Sequence, residues 1–524
     1  MATKVWHRIR SVLRNRTLVC VLLGGLVFGS RAWTVRCFGV QQPYMDSYTE
    51  VWNFDAALHG HWHRLWHNSL QPNNEHIIFF THWLEVALLF LNGGRWDLLA
   101  GCCLNAVLAG ACASAVLAGL GWGAGPGGWW VVLAAVAVGL APPFAYDDVL
   151  WEFQSPHYLC ILFSVLALTL AFRCRSLSPG WFLAFGFAGA ACFTLGSGFF
   201  AALCIGVISL VELWLTRARK WRATLLGAIL VLGLNIPNLL KAHGLSAFKA
   251  QNLSEFGWAL CRQMAWPNVI VGTAWLAPVI FAPLLALGVL VLFRRQPVGP
   301  STRVILGLGL WVLLTDATLA YARGSYVPYA RYYDYNGLNL AVNAAAFFQL
   351  RGRLTGTFPS KTILSVFATA WVVSVLLGGM YLSDFTFRWA LLHRKQDLLV
   401  QQRTVQKFFS TDNPADLRNS EAAQFEPFQQ SFFPALLRLA RQDGILPSQM
   451  LPGPEAPTPH TFLAIWRKFC LRAADVIALG SLTLLAMAGA LEWIDAARPS
   501  DGWGKAIRNS LRPALNTFFA VLPR

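Results

Sequence analysis

Three polar clusters interrupt an otherwise apolar chain, and each carries side chains able to move a proton or hold an anion. The first runs from Tyr44 to His76. Asp46 and Glu50 stand four residues apart, a spacing that puts two side chains on one face of an α-helix. A carboxylate there can act as general base toward an acceptor hydroxyl; the other reading of Asp46 is a solvated loop acid. His59, His61, His63 and His67 straddle faces among Trp52, Trp62 and Trp66, the pattern of an interfacial amphipathic helix rather than of a metal site. Asn74, Glu75 and His76 follow. The second cluster holds Asp147, Asp148, Trp151, Glu152, Gln154 and His157 in a short loop between apolar runs. Ionisable groups at membrane depth are costly and mark function by default, although Asp147 or Asp148 could also serve as a helix N-cap. The third sets Arg323 and Arg331 among five tyrosines between Tyr326 and Tyr335. Guanidinium groups grip phosphate oxygens bidentately, and the rings can stack a sugar; interfacial anchoring is the plainer alternative.

These clusters must be positioned by membrane helices. Of 524 residues, 56% are apolar and 13% charged, and the mean hydropathy is +0.48, against about 25% charged in soluble domains. A cytosolic enzyme, a disordered scaffold, a disulfide-rich secreted domain and an outer-membrane barrel are excluded. The clear spans are 17–36, 98–120, 129–144, 157–173, 180–196, 199–216, 223–240, 269–293, 303–321, 336–350, 362–382 and 474–493. Most cysteines lie in or at the ends of these runs, where they act as small hydrophobes, and none has zinc-site spacing. The glycine-rich stretch 123–128 lacks the lysine of a P-loop.

The run Ile77–Leu91 decides the topology. It is short of the roughly 20 residues needed to cross and contains His82 and Glu85. If it does not cross, twenty-two basic residues fall on one face and seven in the short loops of the other, as the positive-inside rule requires. The expected architecture is therefore all-α and integral to the membrane, with about twelve spans and juxtamembrane helices in the first outer loop. The outer face takes 37–97, 144–156, 241–268, 322–335 and a small cap at 383–473, with a loose linker near 450–460. A core spans 1–382, and 474–524 adds the last span and an interfacial helix at 503–522. The net charge of +17 is then a topology signal, not a sign of nucleic-acid binding.

Met45-Asp46-Ser47, Asn74-Glu75-His76, Trp151-Glu152-Phe153-Gln154 and Arg323 with Arg331-Tyr332 occur in one order on one expected face. In this the chain, over roughly 17–350, resembles the GT-C-fold membrane glycosyltransferases. The likeness is to a broad group of bacterial multispan proteins, and distantly to protein O-mannosyltransferases and the aminoarabinose transferase. The resemblance implies Asp46 as base with Glu75, Asp148 and Glu152 as supporting acids. Arg323, Arg331 and Tyr332 would bind the donor phosphate. Glu50, Asn74, His76, Trp151, Gln154 and His157 would bind sugar or acceptor. Ser47 stands where O-mannosyltransferases have a second acid, and the resemblance assigns no metal ligand, leaving a divalent cation (Mg or Mn) open.

The function expected is sugar transfer from a polyprenyl-phosphate donor to a glycan or lipid-linked acceptor at the outer face of a bacterial inner membrane, among membrane lipids and without nucleic acid. The rivals are a flippase of lipid-linked saccharide, an oligosaccharide ligase and a non-enzymatic assembly subunit. A flippase requires charged or helix-breaking residues near mid-span, for which Glu212, Asp316, Pro237, Pro278 and Pro283 are the candidates.

Overall fold

The computed structural model describes residues 15–123, 125–241, 248–270, 272–295, 298–324, 329–354, 358–453 and 460–496. The N-terminal basic residues Lys4, Arg8, Arg10 and Arg14, most of the expected linker and the expected interfacial helix 503–522 lie outside them. The fold is all-helical; among the described residues the extended structure is an isolated bridge between Asn73 and His76. The long helices are α1 (Arg16–Phe38), α2 (Phe79–Leu91), α3 (Leu98–Gly121), α4 (Gly125–Leu140), α5 (Ser155–Arg173), α6 (Pro179–Ala191), α7 (Phe199–Thr216), α8 (Lys220–Lys241), α9 (Ala277–Arg294), α10 (Pro300–Ala322), α11 (Tyr333–Leu354), α12 (Phe358–Phe385), α13 (Leu391–Thr411) and α14 (Phe462–Ala496).

Eight helical stretches among the described residues are long and apolar enough to cross a membrane, making this a multi-pass membrane protein. They contain α1, α3, α5, α7, α9, α10, α12 and α14, whereas α2, α4 and α6 are apolar but shorter. Polar residues set α8 and α11 apart. Helix α11 carries Asp334, Asn336, Asn339 and Asn343, all buried, and uses them for packing. Asn336 and Asn339 donate to the Asp316 carboxylate of α10 at 3.3 and 2.9 Å, and Asn343 accepts from the Leu284 amide of α9 at 3.1 Å.

The connections between the long helices gather in two groups. One end brings together Arg16 and Arg173 on Trp122, Arg303 beside Glu212, and Arg353 on Thr302. The other gathers the three polar clusters. Helix α2 has 13 residues, about 20 Å of rise. Both of its ends meet elements of the polar end: Thr81 bonds Ser155 at 2.9 Å, and Asn92 beyond its last turn takes a bond from Thr461 at 2.6 Å.

Small residues let the helices approach, as expected where lipid removes the hydrophobic drive between them. A Cβ on Gly139 of α4 would lie 2.6 Å from the Gly337 carbonyl oxygen of α11, and one on Gly29 of α1 would lie 2.6 Å from the Ala478 nitrogen of α14. Helix α14 has 35 residues and starts twelve before the expected span. Its polar first turns are held from outside: Arg467 bonds Asp97 and Asp475 bonds Arg36.

The segment expected as a separate cap continues the membrane helix. Helix α12 passes through one π-helical turn, Thr386–Ala390, directly into α13. Residues 405–450 then share one apolar cluster with the first loop, in which Tyr48, Phe54, Leu65, Val86 and Trp96 pack with Phe408, Phe433, Leu437 and Met450.

Beneath the polar end, Arg31 of α1 is 1% exposed. Its Nε and Nη2 donate to the Leu140 carbonyl at 3.1 and 2.8 Å, and Nη1 donates to the Tyr158 hydroxyl at 2.8 Å. Nη1 and Nη2 also reach the two oxygens of Asp334 at 2.9 and 2.5 Å. Removing one partner of such a pair leaves a buried charge unmatched, at about 3–5 kcal/mol. Asp334→Asn should lower the unfolding midpoint in detergent accordingly. The double replacement Arg31→Met with Asp334→Leu should recover most of that loss, and equal destabilisation by single and double variants would contradict the assignment.

Candidate active site

The turn at 73–76 places the first site residues. Asn73 and His76 exchange backbone bonds of 2.7 and 3.0 Å, and Asn74 takes φ +53°, a left-handed conformation that asparagine tolerates better than most residues. The turn projects Glu75 and His76 into a cleft with a cavity volume of about 150 Å³. The opposite wall is the end of α10, with Thr315, Thr318 and Arg323; Trp151, Gln154 and His157 form the floor at the start of α5, and Gly196 and Ser197 come from the turn before α7. Asp46, in the short 3₁₀ helix Met45–Glu50, and Arg331 with Tyr332 complete the lining.

Ten of the thirteen expected residues therefore converge: Asp46, Asn74, Glu75, His76, Trp151, Gln154, His157, Arg323, Arg331 and Tyr332. Glu50, Asp148 and Glu152 do not line the cleft. Glu50 was expected to share a helical face with Asp46, but the chain there winds as 3₁₀, where residues three apart eclipse. It is fully buried and takes bonds from His82 Nδ1 at 2.7 Å and Asn53 at 3.2 Å, pinning α2 to the helix Val51–Leu58. Glu152 is buried against α3, where a Cβ on Gly101 would lie 2.7 Å from its Cβ. Asp148 is fully buried with neither carboxylate oxygen hydrogen-bonded, and Oδ2 lies 4.0 Å from Nδ1 of His157. Burial, reinforced by Asp334, holds its carboxyl well above the usual range.

Two arginines face the cleft in different states. Arg323 is paired with Glu75 through Nη2 and Oε1 and lies over the Phe248 ring at 5.6 Å. Arg331 is sandwiched between the Trp151 and Tyr329 rings at 4.8 and 5.0 Å, with its buried Nε making no hydrogen bond. That arrangement fixes a planar cation by its faces and leaves its edge for an anion. A hard divalent cation would need oxygen donors. Asp46 and Glu75 are the lining carboxylates, and Glu75 is already engaged by Arg323. Away from the cleft, Asp55, His59 and Asp443 bring ligand atoms within 4.8 Å of one another, but Asp55 is bound by Arg64 at 3.1 Å.

The cleft has an apolar continuation. A small pocket beside Glu75 and His76 reaches Asn235 and Asn238 of α8. Asn235 also borders a groove of about 510 Å³ lined by Trp66, Phe79, Phe185, Phe193 and Leu234. The small pocket shares Glu75, His76, Leu195 and Gly196 with the cleft and Asn235 with the groove. Among family models, curated proteins and solved structures, none matches this chain.

Reading the sequence did not bring out Gly196, Ser197, Thr315 and Thr318. The signal was slight: Thr194-Leu-Gly-Ser-Gly198 is a break between two apolar runs. Its role is to fix His76, whose Nδ1 accepts from the Gly196 amide at 3.1 Å. That bond requires a bare nitrogen. Burial lowers the imidazole to about 4, opposed by Glu75 and aided by Arg323. Stability from the neutral ring is therefore complete above the ordinary value of 6.5 and lost as pH falls toward 4. Thermal unfolding followed from pH 7 to 4 should show this loss, and His76→Gln should flatten the profile; an unchanged slope would contradict it.

Proposed function

We propose that the protein is a membrane glycosyltransferase of the GT-C type that takes a sugar from a polyprenyl-phosphate donor. The observation that carries the proposal is the Asp46 carboxylate and two arginines in one cleft, with an apolar groove close beside it. A lipid-linked phosphosugar has these three parts: an anion for the arginines, a sugar for the polar floor and an isoprenoid chain for the groove.

In the reaction, Asp46 takes the proton of the acceptor hydroxyl, whose oxygen attacks the anomeric carbon. The bond from that carbon to the phosphate oxygen breaks, and the electron pair leaves on the phosphate. Attack and departure on opposite faces invert the sugar carbon. Arg331, whose Nε is open, stabilises the charge growing on the leaving oxygen, and Arg323, braced by Glu75, supports it. His76 is too weak a base for this step, since its ring stays neutral to about 4 and spends Nδ1 on Gly196. Asp148 does not line the cleft.

Twelve spans, with α4, α6, α8 and α11 crossing beside the eight apolar stretches, complete the reading. The basic cluster at the end opposite the cleft makes that end cytoplasmic by the positive-inside rule. The cleft then opens to the outer face of a bacterial inner membrane, beneath a cap formed by the 391–450 segment. A flippase is less well supported: its mid-span candidates are occupied in helix packing, Asp316 by two asparagines and Glu212 by Arg303 at 3.5 Å.

In membranes supplied with a labelled polyprenyl-linked sugar, Asp46→Asn should lower turnover by about 100-fold or more, whereas Asp148→Asn, at a residue that does not line the cleft, should leave it near wild type. Arg331→Gln should weaken donor binding by about 10- to 100-fold. Undiminished turnover in Asp46→Asn would remove that residue from the mechanism.

A further inference from the structure

A second cavity, of about 550 Å³, lies behind the aromatic wall of the cleft and shares no lining residue with it. The wall is Tyr44 set edge-on against Trp151, with ring centroids 5.1 Å apart, and Arg331 between Trp151 and Tyr329. On its far side Tyr44 and Tyr329 face Tyr146, Asp147, Trp389 and Arg394.

Arg394 is the anomaly. It is 4% exposed and sits over the Tyr44 ring, 3.3 Å from the centroid. Its nearest carboxylate oxygen, on Asp147, is 3.7 Å from Nε, too long for a hydrogen bond. Nε and Nη2 have no partner. Buried guanidinium donors left without partners are costly, and Arg394 itself lines the cavity. The π-helical turn Thr386–Ala390 supplies Trp389 to the same cavity, and such turns concentrate at functional positions.

We propose that this cavity is a binding site for a neutral saccharide. A sugar offers an apolar C–H face, which Tyr44, Tyr329 and Trp389 can take, and an edge of hydroxyls. Asp147 and Asp397 accept protons from that edge, and Arg394 donates to its oxygens. Two carboxylates set against one guanidinium and the His393 imidazole disfavour a uronic acid or a phosphate. Interfacial anchoring accounts for tyrosines and a tryptophan, but not for a buried arginine with open donors beside two acids. Separated from the cleft only by the Trp151–Arg331 wall, the site suits the acceptor glycan. That role rests on the transferase reading; saccharide binding does not.

The test presents the full-length protein in nanodiscs to an array of neutral and uronic-acid oligosaccharides. At least one neutral glycan should bind, with affinity reduced tenfold or more by Trp389→Ala and by Asp147→Asn, largely restored by Trp389→Phe and unchanged in Asp46→Asn. Trp389 is 59% exposed, so its replacement leaves packing intact. The proposal is overturned if no neutral glycan binds, if only acidic glycans bind, or if both cavity variants bind as wild type does. Glycan lost from the cavity variants while Asp46→Asn still transfers sugar would sink the base assignment and leave this site standing.

Discussion

The polar end of the bundle hangs on one buried guanidinium. All five N–H groups of Arg31 are satisfied, by the Leu140 carbonyl, the Tyr158 hydroxyl and both oxygens of Asp334. These partners end α4, open α5 and open α11, the helices that carry the second and third polar clusters. A guanidinium whose five N–H groups converge on four acceptor atoms in an apolar interior ties the relative heights of four helices together. Trp151 and Arg331 flank these helix starts, so the floor of the cleft inherits its geometry from a bond deeper in the bundle.

Much of this was legible in the sequence because membranes impose simple rules. Apolar runs located the helices, and the loops expected on one face supply the residues that line one cleft. Ten residues from clusters nearly 300 positions apart met in one cleft because their loops fall at the same end of the bundle. Arg31 was not legible in the same way. It reads as a basic residue ending a span, and its partner lies 303 positions away; nothing local distinguishes a paired arginine from an anchoring one. Glu50 was misplaced for a local reason, since helical spacing assumes 3.6 residues per turn and the chain there winds as 3₁₀. Asp148 and Glu152 were drawn to the site by proximity, yet a short loop between two spans has an inner side as well as an outer one.

The division of labour among charged groups follows from burial. Glu75 and Arg323 neutralise each other at the rim, where charge is tolerable. Arg331 is held by rings rather than by an acid, which preserves its charge for an incoming anion. Asp148 is deeply set, and burial holds its carboxyl well above the usual range.

The shared apolar cluster of the first loop and the 391–450 segment has a consequence in time. The loop is complete by about residue 98, but its packing partners begin near residue 405. At about 5–20 residues per second of synthesis, the loop waits on the order of 15–60 seconds with Phe54, Leu65 and Trp96 uncovered while nearly the whole membrane bundle is made. The unit therefore closes late, and among the described helices only α14 is made after it. A nascent chain interrupted before α13 has most of its membrane helices but no interior for its first loop, which gives quality-control proteases a simple way to recognise it.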